Sequence, residues 1–243
     1  MKLEENILNP KDVKHSLDTN GFCIVPPDIL IQLSGTTQET LNDFSKYWDD
    51  LVKDQYLKDL GGYRFRRHSS YTIEGGNIEL NTHRAHWQSK DYNALHGGIV
   101  RLFEPISADL NHSNKWLSFI CSVTSLIGSP VHGNRWYVEA HQFRILTLGG
   151  IGRPTPEGAH RDGVDFVAVI MVKRHFISGG ETRIFETEGQ QGLRFTLDQP
   201  WSLLLLNDHR LRHESTPIQD LGGDGHRDTL VLTFRSLGFQ NPD

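Results

Sequence analysis

From Arg135 to Ser236 the chain breaks into short runs of β-branched and aromatic residues punctuated by glycine, the signature of consecutive strands. The runs are Trp136 to Thr147, Val164 to Lys173, Glu181 to Glu186, Leu193 to Leu197, Trp201 to Asn207, Leu211 to Glu214 and Asp228 to Ser236, with an earlier strand or two in Tyr63 to Ile73. Short strands joined by turn chemistry such as Ser178-Gly179-Gly180 predict a mainly β chain built as a double-sheet jelly roll or barrel. The run Trp201 to Leu206 is apolar without alternation, as in a strand covered on both faces.

Ahead of the strands the pattern is helical. Asn9-Pro10 reads as an N-cap followed by proline at the first helical position, with Gly21 closing the helix and a short strand, Phe22 to Val25, after it. Leu41, Phe44, Trp48 and Leu51 recur at three- and four-residue intervals and predict a helix over Gln38 to Asp54, capped by Thr36 or Thr37. A further helix is expected over Asn114 to Leu126, and both should pack as struts outside the sheet. The stretch 149–158 is too rich in glycine and proline for helix or regular strand and reads as a functional loop that delivers the chain to His160. At 243 residues one domain is expected, with helical support over about 1–60 and a β core over about 61–240.

Lys plus Arg number 25 against 30 Asp plus Glu, a net charge of -5, so no general basic surface offers itself to nucleic acid or an anionic membrane. A small-molecule substrate fits better. Cys23 and Cys121 stand far apart in no metal-like spacing and read as buried thiols of a reducing compartment. The acidic start Met1-Lys2-Leu3-Glu4-Glu5 shows no apolar signal region, and the apolar tract Trp116 to Ile127 is interrupted and too short to span a bilayer. The expectation is a cytoplasmic protein with no membrane partner.

His160-Arg161-Asp162 carries the chemistry. On an extended segment residues i and i+2 share a face, so His160 and Asp162 can address one ion while Arg161 points away. Thirteen histidines make about one such triplet expected by accident, and His226-Arg227-Asp228 is a second. Only the first has enough chain behind it for a third ligand, His213, fifty-three positions on. Two imidazoles and one carboxylate on one face of a metal are the ligand set of a non-haem Fe(II) site with open positions. Arg227 and Thr229 share a face of the last strand, where a guanidinium could grip the far carboxylate of a 2-oxo acid, with the hydroxyl as a further donor.

Other readings are weaker. The triplet also occurs in kinase catalytic loops, but no Asn follows five positions after Asp162 and no Asp-Phe-Gly is present. His83, His86 and His209 lack a zinc-site context and read as surface or hydrogen-bonded histidines, and His141, sharing a face with Phe143 and Ile145, as a satisfied core histidine. Arg64, Arg66 and Arg67 fit an acid-paired strand face as readily as a binding role.

His160-x-Asp162, His213-x-x-x-Pro217 and Arg227-x-Thr229 resemble the Fe(II)/2-oxoglutarate-dependent dioxygenases. Within them the chain is most similar to the bacterial free-amino-acid hydroxylases typified by L-isoleucine dioxygenase, a likeness that extends to Arg64-x-Arg66, Gln88 to Asn93, Gly97-Gly98, Arg101 and His141-Gln142-x-Arg144 and covers about Tyr63 to Phe234. The resemblance implies a double-stranded β-helix (jelly roll, cupin-like) core with flanking N-terminal and mid-chain α-helices. It implies Fe(II) held by His160, Asp162 and His213, and 2-oxoglutarate on Arg227 and Thr229. With O2, the implied reaction is hydroxylation of an unactivated C-H bond of a free, aliphatic L-amino acid, with release of succinate and CO2. Halogenating relatives carry a small residue in place of Asp162, so its presence implies hydroxylation, with desaturation or epimerisation as the alternatives. A zwitterion needs a cation for its carboxylate and an acceptor for its ammonium group; Arg66 and Arg144, with Gln142 as an orienting amide, are the expected substrate contacts. The 149–158 loop and Val164 to Arg174 depart from the family's pattern and leave the amino acid open. Alternatives are a hydroxylase of a carrier-bound or peptide side chain and a non-catalytic cupin-like metal binder; Arg227 discriminates against the last, which has no use for a carboxylate clamp.

Overall fold

The computed structural model describes residues 7–57, 62–93, 95, 97–148 and 150–242; the start Met1 to Glu5 and Gly149 lie outside them. Helix α1 (Pro10–Asn20) is fixed at both ends as its sequence predicts. The Asn9 side chain accepts from the Lys11 and Asp12 amides, Asp12 answers the Asn9 amide, and Gly21 closes the helix in the left-handed region at φ 79°. Strand β1 (Phe22–Val25) follows, then α2 (Pro27–Ser34), a helix the sequence reading missed. Helix α3 (Gln38–Ser45) is capped by Thr37 and stops at Ser45 instead of Asp54. A 3-10 turn over Lys46–Trp48 replaces its second half. There the Trp48 indole N-H donates to the carbonyls of Phe143 (3.1 Å) and Thr229 (3.2 Å), and the chain beyond adds β2 (Val52–Lys53) to the sheet. An unbroken helix could not both aim that indole and supply an edge strand.

The remaining elements are β3 (Arg64–Glu74), β4 (Asn77–Leu80), α4 (Ala108–Asn111), α5 (Asn114–Ser125), β5 (Arg135–Leu146), β6 (Ile151–Gly152), β7 (Phe166–His175), β8 (Ile177–Gly179), β9 (Thr182–Glu186), β10 (Gly192–Phe195), β11 (Leu203–Asn207), β12 (Leu211–Ser215), β13 (Ile218–Asp220) and β14 (His226–Arg235). An antiparallel major sheet runs β1-β11-β7-β14-β5-β3-β2, with β4 paired to β3. Smaller sheets run β10-β9-β12 and β6-β13-β8. The 149–158 stretch is therefore not wholly irregular: Gly152, with no side chain to collide with the Leu146 carbonyl, pairs with Ile218.

One face of the major sheet is covered by helices. Ala140, Leu230, Leu232 and Leu205 pack there against Phe44, Trp48, Trp116 and Phe119 in the larger apolar core. The opposite face carries Val167, Val169 and Met171 against Ile184 and Leu211 of the small β10-β9-β12 sheet. The central strands are thus buried on both faces, which is why β7 and β11 read as continuous apolar runs. The architecture is the mainly β jelly roll with flanking helices that the strand pattern predicts. Among the described residues no helix is long and apolar enough to cross a membrane.

Candidate active site

Between the major sheet and the small sheet lies a cavity of about 130 Å³ whose floor is set by strand register. Residues opposite one another on paired strands share a face. Register places Ile145 between Arg64 and Arg227, and Phe143 between Arg66 and Thr229, with His141 beside Val231 in the next row. All of these line the cavity.

The metal-ligand candidates stand at its mouth. His160 exchanges both main-chain hydrogen bonds with His213 of β12 (3.1 and 2.9 Å), which sets the two imidazoles side by side, tilted at 45° with ring centroids 4.7 Å apart. His160 Nε2 lies 3.8 Å and His213 Nε2 3.7 Å from the two oxygens of Asp162. One ligand atom from each residue falls within 4.8 Å of the others, a convergence that suits a single ion. The His160 ring is oriented from behind: Nδ1 donates to the Gly158 carbonyl at 2.9 Å, which leaves the Nε2 lone pair facing the other two ligands. Burial disfavours charge on His160, but Asp162 and Glu157 raise its pKa above the ordinary imidazole value. Burial and the neighbouring His160 push His213 down to about 4, so this imidazole is neutral and ready to ligate.

Asp162 is held by its backbone. The buried Asp208 carboxylate accepts from the amides of Asp162 (2.9 Å), Gly163 (2.8 Å) and Val164 (3.1 Å). Gly163 adopts φ 74° with the Tyr92 ring against it, a place no Cβ could occupy. Burial and the Asp162 charge push Asp208 up to about 6 against those amide donors. Gln88 donates to Asp162 Oδ1 at 3.3 Å, and Gln240 to the Asp162 and Gly163 carbonyls.

Arg227 is 4% exposed, its Nε has no partner, and its one side-chain hydrogen bond is a long one to the Ser215 hydroxyl at 3.5 Å. Burial and the nearby Arg174 lower it to about 10. Such a buried, unpaired guanidinium in a cavity calls for an anion. Thr229 lines the same wall.

The other predicted contacts separate. Arg66 enters the cavity, flat between Phe103 (3.6 Å to the ring centroid) and Phe143 (4.4 Å), with Nη2 on His141 Nδ1 at 2.6 Å. Gln142 and Arg144 do not line it. They project from the opposite face of β5, where Arg144 is paired with Asp228 (2.8 Å) and Asp49 (2.9 Å) and Gln142 is fully buried. Strand alternation explains the correction: the cavity face of β5 is the odd one, Glu139, His141, Phe143 and Ile145.

His86 and His141, read from the sequence as structural, also bring ligand-type atoms within 4.8 Å of one another together with His68 and Glu139, on which the sequence reading was silent. Two are already engaged by guanidinium groups, His141 by Arg66 and Glu139 by Arg84 (3.3 Å), so a cation there would face two fixed positive charges. Burial works against the Glu139 charge, yet His86 and His68 hold its carboxyl well below the ordinary value. The group acts as a buried brace behind Arg66, with His141 hydrogen-bonded as expected and His86 donating to Glu139 at 3.1 Å. Arg101, Glu157, Gln88 and Ser215, none of them predicted as site residues, also line the cavity. They come from loops and from the end of β12, and no local periodicity marks them.

Residues 45–233 match the family model of the 2OG-Fe dioxygenases. The crystal structure of a bsmA homologue from Methylobium petroleophilum PM1 superposes with a TM-score of 0.93 at 47% identity, covering 100% of both chains. That of IDO from Bacillus thuringiensis gives 0.76 at 18% identity over 96% of this chain and 100% of that one, and the Fe(II)/α-ketoglutarate-dependent dioxygenase TqaL gives 0.65 at 16% over 93% and 86%. At those identities the last two speak for the fold alone. No curated protein matches the chain.

Proposed function

We propose, since the chain belongs to the 2OG-Fe dioxygenase family and so works with Fe(II), 2-oxoglutarate and O2, that it hydroxylates a free aliphatic L-amino acid. The observation that carries the reading is one cavity holding the His160, Asp162 and His213 triad together with two buried guanidiniums, Arg227 and Arg66. One cation serves the co-substrate and the other the substrate. The donor set fits the metal: two imidazole nitrogens and one carboxylate, with no fourth protein ligand within the same 4.8 Å among the described residues. Bound there, Fe(II) supplies the oxidising chemistry that converts 2-oxoglutarate and O2 to succinate and CO2 while one oxygen atom enters a C-H bond of the substrate.

The chain's own groups bind and orient. Arg227 takes the far carboxylate of 2-oxoglutarate, with the Thr229 hydroxyl beside it as a further donor. Arg66, its plane locked by two aromatic rings and by His141, presents a fixed fork to the substrate carboxylate. Val164, Val169 and Val231 form an apolar wall that accommodates an aliphatic side chain and keeps water away from the reacting carbon.

The test is anaerobic loading with Fe(II) and 2-oxoglutarate, then air, against a panel of free amino acids, reading succinate and a product heavier by one oxygen. Aliphatic members of the panel should stimulate succinate formation. A panel without a single stimulating amino acid would refute the substrate class.

A further inference from the structure

Two buried polar groups in the cavity have no function in the reading above. Arg101 is 3% exposed and lines the cavity, and its Nε and Nη2 are both without a hydrogen-bond partner. Its main chain is pinned, exchanging hydrogen bonds with His86 at 2.9 Å each, so the guanidinium is delivered from a fixed point. No carboxylate pairs with it among the described residues. Asp54, the nearest acid of that wall, is taken by Arg64 at 2.8 Å and leans toward Arg66 at 3.8 Å. Arg64 and Arg66 thus share Asp54, and Glu139, a second carboxylate of the lining, is already engaged by Arg84, His68 and His86, so the Arg101 guanidinium faces the cavity without an ion-pair partner of its own.

Within electrostatic reach of Arg101 stands the opposite case. Glu157 also lines the cavity, with Oε1 3.7 Å from His160 Nε2, while Oε2 is buried and unpartnered. It is not one of the three residues whose ligand atoms converge, so this oxygen is free for another cation. An unpaired donor fork and an unpaired carboxylate oxygen in one cavity are each costly to bury alone. A single molecule carrying both charges satisfies both.

We propose that Arg101, with Arg66, binds the carboxylate and Glu157 the ammonium group of the substrate, so that the cavity accepts only amino acids free at both ends. The proposal rests on the free-amino-acid reading and sharpens it. An amino acid tethered as a thioester or amide has no carboxylate for Arg101, and an N-acylated one has no cation for Glu157. Arg101 and Glu157 are then the residues that exclude carrier-bound and peptidyl substrates.

The test measures binding of L-leucine, L-isoleucine, L-norvaline and L-valine, their amides and their N-acetyl derivatives. The protein is loaded with Mn(II) and 2-oxoglutarate, and calorimetry is the readout, so that no turnover is needed. Wild type should bind at least one free amino acid and disfavour its amide and its N-acetyl form by roughly 10- to 100-fold each, the loss expected for a charge-assisted hydrogen bond left unmade. Arg101→Met should cut the acid-to-amide preference by roughly tenfold, Arg66 holding the remainder, while keeping the N-acetyl preference, and Glu157→Gln should lower the N-acetyl preference while keeping that for the acid. A general loss of structure would weaken all ligands together and leave these ratios untouched. Arg101→Lys keeps the charge and should retain part of the acid preference, which keeps the test decisive if the methionine variant is unstable. If wild type discriminates but Arg101→Met and Arg101→Lys keep its full acid preference, the assignment of Arg101 is overturned while the substrate class stands. A free amino acid bound no better than its N-acetyl form overturns the assignment of Glu157. If no amino acid binds wild type, the substrate class and this proposal fall together.

Discussion

Arg227 makes an unusual demand on stability. Its fall from the ordinary arginine value to about 10 corresponds, at about 1.4 kcal/mol per tenfold change in proton affinity, to roughly 3 kcal/mol withheld from folding. The guanidinium is charged in both the folded and unfolded chain at neutral pH, so the whole penalty is present there and is relieved only as pH rises past about 10 toward the ordinary arginine value. The side chain is 4% exposed, so little of this is screened by solvent. Arg227→Met keeps the length and apolar stem and removes the buried charge. The metal-free, ligand-free variant should therefore be more stable than wild type by about 2–3 kcal/mol, a rise in melting temperature of roughly 4–10 °C for a chain of this size. The same change should raise the KM for 2-oxoglutarate by roughly two to three orders of magnitude, since a bidentate, charge-assisted pair is lost. Differential scanning calorimetry of dialysed protein and a 2-oxoglutarate titration of succinate release read the two effects. A ligand-free variant that melts at or below wild type would refute the unpaired-cation account. An unchanged KM would move the clamp elsewhere.

Asp208→Asn relieves repulsion with Asp162 but turns its NH2 group toward at least one of the three amide donors, and the second effect dominates. Urea unfolding should show a loss of about 1–3 kcal/mol with an unchanged slope, and a midpoint equal to wild type would contradict the strut role. His160→Ala should take Mn(II) retained after dialysis from one ion per chain to none; full retention would remove His160 from the metal site. Because His213 stays neutral down to about 4 while His160 is raised above 6.5, only His160 must lose a proton for metal to bind near pH 6. Calorimetry in buffers of different ionisation enthalpy should then count about one proton released per Mn(II), with affinity falling as pH drops through the His160 value. The sign for stability is opposite in the metal-free chain, where charged His160 adds stability below 6.5 that is lost as pH rises through its folded value. A count of two protons would mean that His213 titrates as well.

The triad and Arg227 were legible because each announces itself locally. His160 and Asp162 are two apart on extended chain, and Arg227 and Thr229 share a face of β14. Gln142 and Arg144 were misplaced for a physical reason. β5 lies between β14 and β3 and is buried without a break over Val138 to Gln142, so its pattern carries no alternation to say which parity faces the cavity. Arg66 sits on the shorter-range signal, with Arg64 on the same side of β3, and both reach the cavity. Arg101, Glu157 and Gln88 come from segments outside any regular strand, and their convergence is a property of tertiary packing. The end of α3 was hidden likewise, because the carbonyls that capture the Trp48 indole lie 95 and 181 residues away.

The main-chain pairing of His160 with His213 separates the geometry of the proposed metal centre from the length of chain between its candidate ligands. Ladder spacing, not the fifty-three-residue excursion, sets the distance between the imidazoles. The turn Glu188 to Gln191, exposed between β9 and β10, can therefore receive a spliced reporter peptide or a grafted recognition loop while the two histidines keep their separation. The scaffold is in this sense open to redesign at its tip without renegotiating its chemistry.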